Sequence, residues 1–158
     1  MLFSGQTWEN TRESLYKNNS CPVTFYTRPL PKLRETVNDT AGKYSDGWRY
    51  ESKRRVGDYH DDIHVTDKPG SYCDFEFTGE GIEILSEKFH DMGDVEVLLD
   101  GKSQGIFHSY QDPMPRLYQI PFFRKMDLAK GRHTIRVINR APAGVFCIVD
   151  GLTIYGAP

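Results

Sequence analysis

Apolar residues recur at every second position through most of the chain, the period of a strand with one buried face. Residues 71–78 put Cys73, Phe75 and Phe77 on one face and Tyr72, Asp74 and Glu76 on the other. Residues 94–99 repeat this with Val95, Val97 and Leu99 inward, and residues 131–140 set His133, Ile135 and Val137 against Thr134, Arg136 and Arg140. Turn signals separate the runs. Gly79-Glu80-Gly81 leads into Ile82 and Ile84, and Asp100-Gly101 is a pair favoured in two-residue type I′ turns, whose central positions both need positive φ. Residues 117–124 carry Pro121, which lacks the N–H a ladder needs and so belongs on an edge strand or at a bulge. Residues 44–51 form a short strand with an internal turn, and residues 145–155 close the chain. The pattern predicts an all-β fold of about nine or ten short strands, at the spacing of a jelly-roll β-sandwich of two antiparallel sheets. Helix is expected at most as a turn near residues 7–16 or 126–130, and no repeat is visible.

Residues 1–33 read differently. They are polar and irregular, with Trp8, Tyr16, Phe25 and Tyr26 scattered among Asn, Thr and Ser, and they end in Arg28-Pro29-Leu30-Pro31-Lys32. An arm or linker is expected there, packed in part on a sandwich formed by residues 34–158, with an edge strand near residues 23–26. At 158 residues and 38% apolar composition the chain is long enough to bury a real core. A net charge of −2 gives no general pull towards nucleic acid or an anionic membrane, so neither is an expected partner. Residues 1–5 lack the basic start and apolar run of a signal peptide. The expected location is secreted or periplasmic, with the leader outside this sequence, and the cytoplasm is the alternative. Three cysteines cannot all pair within one chain; buried thiols are expected at Cys73 and Cys147, and a disulfide between them is the alternative.

Several features occur in a telling order: Asn38-Asp39-Thr40, then Tyr44 with Gly47-Trp48, then His64-Val65-Thr66 with Gly70. Phe75, Phe77, Gly79 and Gly81-Ile82 follow, then Val97 with Asp100-Gly101, then Leu128, Gly131, His133-Thr134-Ile135 and Val137, and finally Phe146 with Asp150. From Asn38 to Tyr155 this order resembles the galactose-binding-like jelly-roll domains of carbohydrate-binding-module type attached to bacterial glycoside hydrolases. The resemblance implies a non-catalytic carbohydrate-binding or ancillary domain of a polysaccharide-processing protein. Its implied partners are an oligo- or polysaccharide and a catalytic domain in the same or a neighbouring protein.

A sugar site needs a flat aromatic face for the C–H side of a pyranose, plus a few fixed polar groups for its hydroxyls. Trp48 and Tyr50 alternate along one short strand, Tyr59 and Tyr110 are further platforms, and Arg49, Arg54, Arg55 and Arg116 are donors. The expected ligand-binding set is Trp48, Tyr50, Arg55, Tyr59, Tyr110 and Arg116, with a core position as the alternative for Trp48. On an extended strand His60, Asp62 and His64 would share a face, but such neighbours stand roughly 6.5–7 Å apart, so a solvated polar face is expected there rather than a metal. Asp39 and Asp150, with Glu35 or Asp46 nearby, are expected contributors to a structural calcium, turn capping being the alternative. No cofactor is required. The sequence lacks a Gly-x-Ser-x-Gly elbow, a Cys-x-x-Cys pair, a phosphate loop and a His-Glu-x-x-His motif. A structural or protein-interaction sandwich without a sugar site is the second expectation. A small hydrolase using the histidines, or paired acids such as Asp91 and Asp112, is the third.

Overall fold

The computed structural model describes residues 31–110 and 115–156. Twelve strands run in chain order: β1 (Leu33–Asn38), β2 (Lys43–Tyr44), β3 (Arg49–Ser52), β4 (Asp62–Thr66), β5 (Tyr72–Gly79), β6 (Gly81–Lys88), β7 (Asp94–Leu99), β8 (Lys102–His108), β9 (Leu117–Lys125), β10 (Gly131–Asn139), β11 (Cys147–Val149) and β12 (Gly151–Tyr155). Every pairing between them is antiparallel. One layer is a five-stranded sheet in the order β2-β5-β10-β7-β8. The other comprises a four-stranded sheet, β1-β12-β6-β9, and a three-stranded sheet, β11-β4-β3. The closing strand joins these two pieces by changing partner at Asp150: β11 pairs with β4, and β12 pairs with β6 and β1. The result is a jelly-roll sandwich.

Alternation along the strands builds the core. Cys73, Phe75, Phe77, Val97, Ile135 and Val137 of the first layer meet Ile82, Ile84, Phe123, Val149, Leu152 and Ile154 of the second, all buried. Each such side chain contributes about 1.5–3 kcal/mol of burial. A smaller cluster, Ile63, Val65, Met92 and Ile148, lies apart from it, with Phe89 and Phe146 packed against it. This second core anchors residues 89–92 to β4 and β11, which matters for the site below.

Several sequence expectations are met at the level of single residues. Asp100 and Gly101 have φ of 50° and 75°, as a type I′ turn requires. Pro121 lies on β9, which among the described residues pairs only with β6 and so forms the sheet margin, and the register shifts beside it. Cys73 and Cys147 are free and buried, and burial pushes both thiols up, Cys147 to about 12. Residues 126–130 form no helical turn. The turn near residues 7–16, the edge strand near 23–26, Cys21 and Asp112 lie outside the described residues.

Candidate functional site

At the point where β1 ends, a short turn at Asp39–Ala41 places a buried carboxylate against β4. His64 Nδ1 lies 2.7 Å from Asp39 Oδ2, and the Tyr44 ring stacks on the imidazole at 3.8 Å while its hydroxyl donates to the Asp39 carbonyl. Burial first, and then the charge of neighbouring groups including Asp39 and Asp62, holds the Tyr44 phenol well above its ordinary range. Tyr50 stands beside His64 on β3, and its hydroxyl donates to Asp62 Oδ2 at 2.7 Å, an oxygen that the Asn38 amide also reaches. That bond pins a ring which is nonetheless 51% exposed.

Asp150 is fully buried between β11 and β12. Asn38 pairs with Gly151 at the end of the β1–β12 ladder, so continuing that register sets Asp39 opposite Asp150, both fully buried. One oxygen of Asp150 accepts the Tyr59 N–H at 2.8 Å. The other accepts no hydrogen bond from the described residues, and the same is true of one buried oxygen each on Asn38, Asp39 and Asp62. Burial, reinforced by the charges of Asp58, Asp39 and Glu87, lifts the Asp150 carboxyl to about 7.

The segment from residue 53 to residue 61 connects Tyr50's strand to β4 and is held by an ionic network. Arg54 reaches Glu87 at 2.6 Å and Asp58 at 3.2 Å, while Arg116 donates to Glu87 and, at 2.7 Å, to Asp91. The Arg116 guanidinium also covers the Phe89 ring at 4.2 Å, and Phe89 bridges to Tyr110. Burial, and secondarily the neighbouring Glu87 charge, lifts Asp58 to about 6, although Arg54 opposes this. The backbone of the segment is strained. Lys53, Arg55, His60 and Asp61 all have φ between 55° and 61°, a region that costs a side-chain-bearing residue on the order of 1 kcal/mol or more. Gln119 braces it from β9 by donating to the Gly57 carbonyl.

The structure therefore places the six expected ligand-binding residues unequally. Tyr50, Arg55 and Tyr59 lie on or beside the 53–61 segment, and the Arg54–Glu87–Arg116 link ties that segment to the start of β9, where Arg116 covers Phe89, whose backbone bridges to Tyr110. Arg55 is exposed, Tyr110 is 55% exposed, and Tyr59 is half-buried with its ring stacked on His60. Trp48 stands apart: it packs partly on the main core, edge-on to Tyr44, and its indole donates to the Tyr72 carbonyl. The solvated strand face expected for His60, Asp62 and His64 is not found. His60 sits in a turn with φ of 61°, the strand begins only at Asp62, and Asp62 and His64 are turned into the packed seam with Asn38, Asp39 and Tyr50. Asp91 is engaged by Arg116. Sequence reasoning missed Glu87, because a carboxylate buried on both faces of a central strand breaks the alternation that the reading depends on.

A second surface lies on the outer face of the five-stranded sheet. It is a groove of about 470 Å³ lined by Lys43, Asp74, Glu76, Leu98, Thr134 and Arg136 among others. Arg136 forks onto both oxygens of Asp74 at 2.6 and 2.7 Å and covers the Tyr72 ring at 4.0 Å, while Arg132 pairs with Glu76. The groove presents fixed donors and acceptors in alternation. Among the described residues no three His, Cys, Asp or Glu side chains converge as a ready-made metal chelate. Nor is any helix among them long and apolar enough to cross a membrane.

No family model matches the sequence, and no curated protein matches it. Solved structures do match in fold. The CBM36-1 domain of a multidomain xylanase from the hindgut metagenome of Trinervitermes trinervoides is 15% identical with a TM-score of 0.53, over 78% of this chain and 98% of that one. The GH26-CBM35 β-(1,4)-mannanase of Podospora anserina is 16% identical with a TM-score of 0.56, over 83% of this chain and 29% of that one. A Paenibacillus cycloisomaltooligosaccharide glucanotransferase complexed with cycloisomaltoheptaose is 12% identical with a TM-score of 0.59, over 94% of this chain and 22% of that one. The chain thus spans less than a third of the two enzymes and nearly the whole of the isolated module. Its fold is the jelly-roll β-sandwich seen in the carbohydrate-binding-module domain it matches.

Proposed function

We propose that this chain is a non-catalytic carbohydrate-binding module that works beside a polysaccharide-processing catalytic domain, in the same or a neighbouring protein, outside the cytoplasm. The proposed sugar site is the loop face carrying Tyr50, Arg55, Tyr59, Tyr110 and Arg116. The observation that carries this reading is that two large aromatic rings stay open to solvent in held positions, Tyr50 pinned by its bond to Asp62 and Tyr110 bridged through its backbone to Phe89, whose ring Arg116 covers. Exposed rings in fixed positions offer stacking area at little entropic cost, and the arginines beside them suit sugar hydroxyls. The likeness in fold to the CBM36-1 domain of a xylanase and to part of a GH26-CBM35 mannanase supports the same class of ligand.

Calcium is proposed as a staple of the fold. The donor chemistry fits, since buried oxygens of Asn38, Asp39 and Asp150 accept no hydrogen bond from the described residues and carboxylate charge accumulates around Asp150. Asp39, Asp150 and Asn38 would hold the ion, with backbone carbonyls completing its shell. When bound, it would neutralise that charge and tie β1 to the closing strand.

The second reading places the glycan in the 470 Å³ groove, where the Asp74–Arg136 fork supplies fixed polar groups. Alanine variants separate the two. On the loop reading, Tyr50→Ala and Tyr110→Ala each lower glycan affinity about tenfold in isothermal titration, Tyr50→Phe keeps most of it, and Arg136→Ala changes nothing. Loss confined to Arg136→Ala would move the site to the groove.

A further inference from the structure

Glu87 has no exposed surface and stands near the end of β6, a strand paired on both sides. Its two oxygens serve two different loops. One meets Arg54 of the 53–61 segment at 2.6 Å, and the other accepts from Arg116 at the entry to β9. Arg54 carries Asp58 with it, and Arg116 carries Asp91 and covers the Phe89 ring, while the Phe89 backbone forms a β-bridge with Tyr110. Both arginines are largely buried, so each depends on a counter-charge that water does not replace. Four residues of the 53–61 segment hold left-handed backbone conformations, which persist only where the surroundings enforce them.

We propose that Glu87 is the positioning residue of the sugar site: a scaffold carboxylate that touches no ligand, but whose charge clamps the 53–61 segment to Arg116 at the start of β9 and so fixes Arg55 and Tyr59 and, through Arg116 over Phe89 and the Phe89–Tyr110 backbone bridge, Tyr110. This rests on the carbohydrate-binding reading of that loop face. A neutral side chain of the same size leaves two buried guanidiniums short of a partner, and both loops open while the sandwich behind them stays folded. The bond between the network and affinity is preorganisation, since a loop that must be ordered on binding gives up affinity to do so.

The test compares wild type, Glu87→Gln and Arg54→Lys by amide hydrogen exchange and by titration with xylan and β-1,4-mannan oligosaccharides. In Glu87→Gln, protection in peptides spanning residues 53–61 and 115–119 should fall about tenfold or more, protection in β5 and β10 should hold, and affinity should fall by a similar factor. Arg54→Lys keeps a charge but its shorter-reaching point-charge ammonium does not reproduce the guanidinium contact that Nη1 makes with both Asp58 and Glu87, so it should loosen residues 53–61 and spare residues 115–119. It also provides the reading if the Gln variant does not fold. Unchanged protection at both loops, or an equal loss throughout β5 and β10, overturns the positioning role. Wild-type protein that binds no sugar overturns the carbohydrate reading instead, and the exchange data then judge the clamp by itself.

Discussion

Asp39→Ala is expected to cost on the order of 3 kcal/mol in urea unfolding, a large share of a small domain's stability. Asp39 is fully buried, and its carboxylate is the partner of His64 at 2.7 Å. Removing it strands an imidazole nitrogen inside the seam, beneath the Tyr44 ring that stacks on it at 3.8 Å. The damage should reach beyond one hydrogen bond, because the turn at Asp39–Ala41 positions the Tyr44 hydroxyl on the Asp39 carbonyl and sets the end of β1. Asp39→Asn keeps an oxygen acceptor for the imidazole and should cost about 1 kcal/mol. An alanine variant as stable as wild type would mean that the seam is not held by this pair.

The second large effect concerns pH. The folded state raises the Asp150 carboxyl from its ordinary 3.8 to about 7, through burial and then through the charges of Asp58, Asp39 and Glu87, against the opposing Tyr59 N–H. The folded chain therefore binds this proton more tightly than the unfolded chain does. Stability from this group is fully present below pH 3.8, declines as pH rises, and is lost above about 7. Asp58, raised from 3.8 to about 6, adds in the same direction over a narrower window. With screening allowed for, the Asp150 contribution is on the order of 3 kcal/mol. Asp150→Asn, whose amide oxygen still accepts the Tyr59 N–H, should thus be more stable than wild type above neutral pH in chelator, and the gain should vanish near pH 4. Millimolar calcium should reverse the order, raising the wild-type melting temperature and leaving the Asn variant unmoved. A wild-type chain indifferent to calcium above neutral pH would remove the proposed staple, and a difference between variants that does not vary with pH would remove the titration.

Much of the scaffold was legible because alternation is a local property. Cys73, Phe75 and Phe77 declare their common face within one strand, and Pro121 and Asp100-Gly101 declare an edge and a turn from their own backbone chemistry. The site was legible only in its exposed members. Tyr50 and Tyr110 could be read as loop aromatics, but nothing local tells that Tyr50 is pinned by Asp62 or that Trp48 gives its indole to the Tyr72 carbonyl. The His60–His64 run misled because His60 adopts a left-handed conformation, which starts the strand two residues late and sends Asp62 and His64 inward. Glu87 was hidden for a different reason. Its partners lie far along the chain at Arg54 and Arg116, so only the fold brings the charges together, and its strand is covered on both faces, which erases the period-two signal.

The most direct test of the carbohydrate reading is affinity electrophoresis of the wild-type chain through gels containing xylan, β-1,4-mannan or α-glucan, with the Tyr50→Ala/Tyr110→Ala double variant alongside. Retardation of wild type by at least one polysaccharide, lost in a double variant that keeps the wild-type melting temperature, is the expected result. Wild-type protein that migrates unretarded through every gel, or a double variant retarded as strongly as wild type, would contradict it.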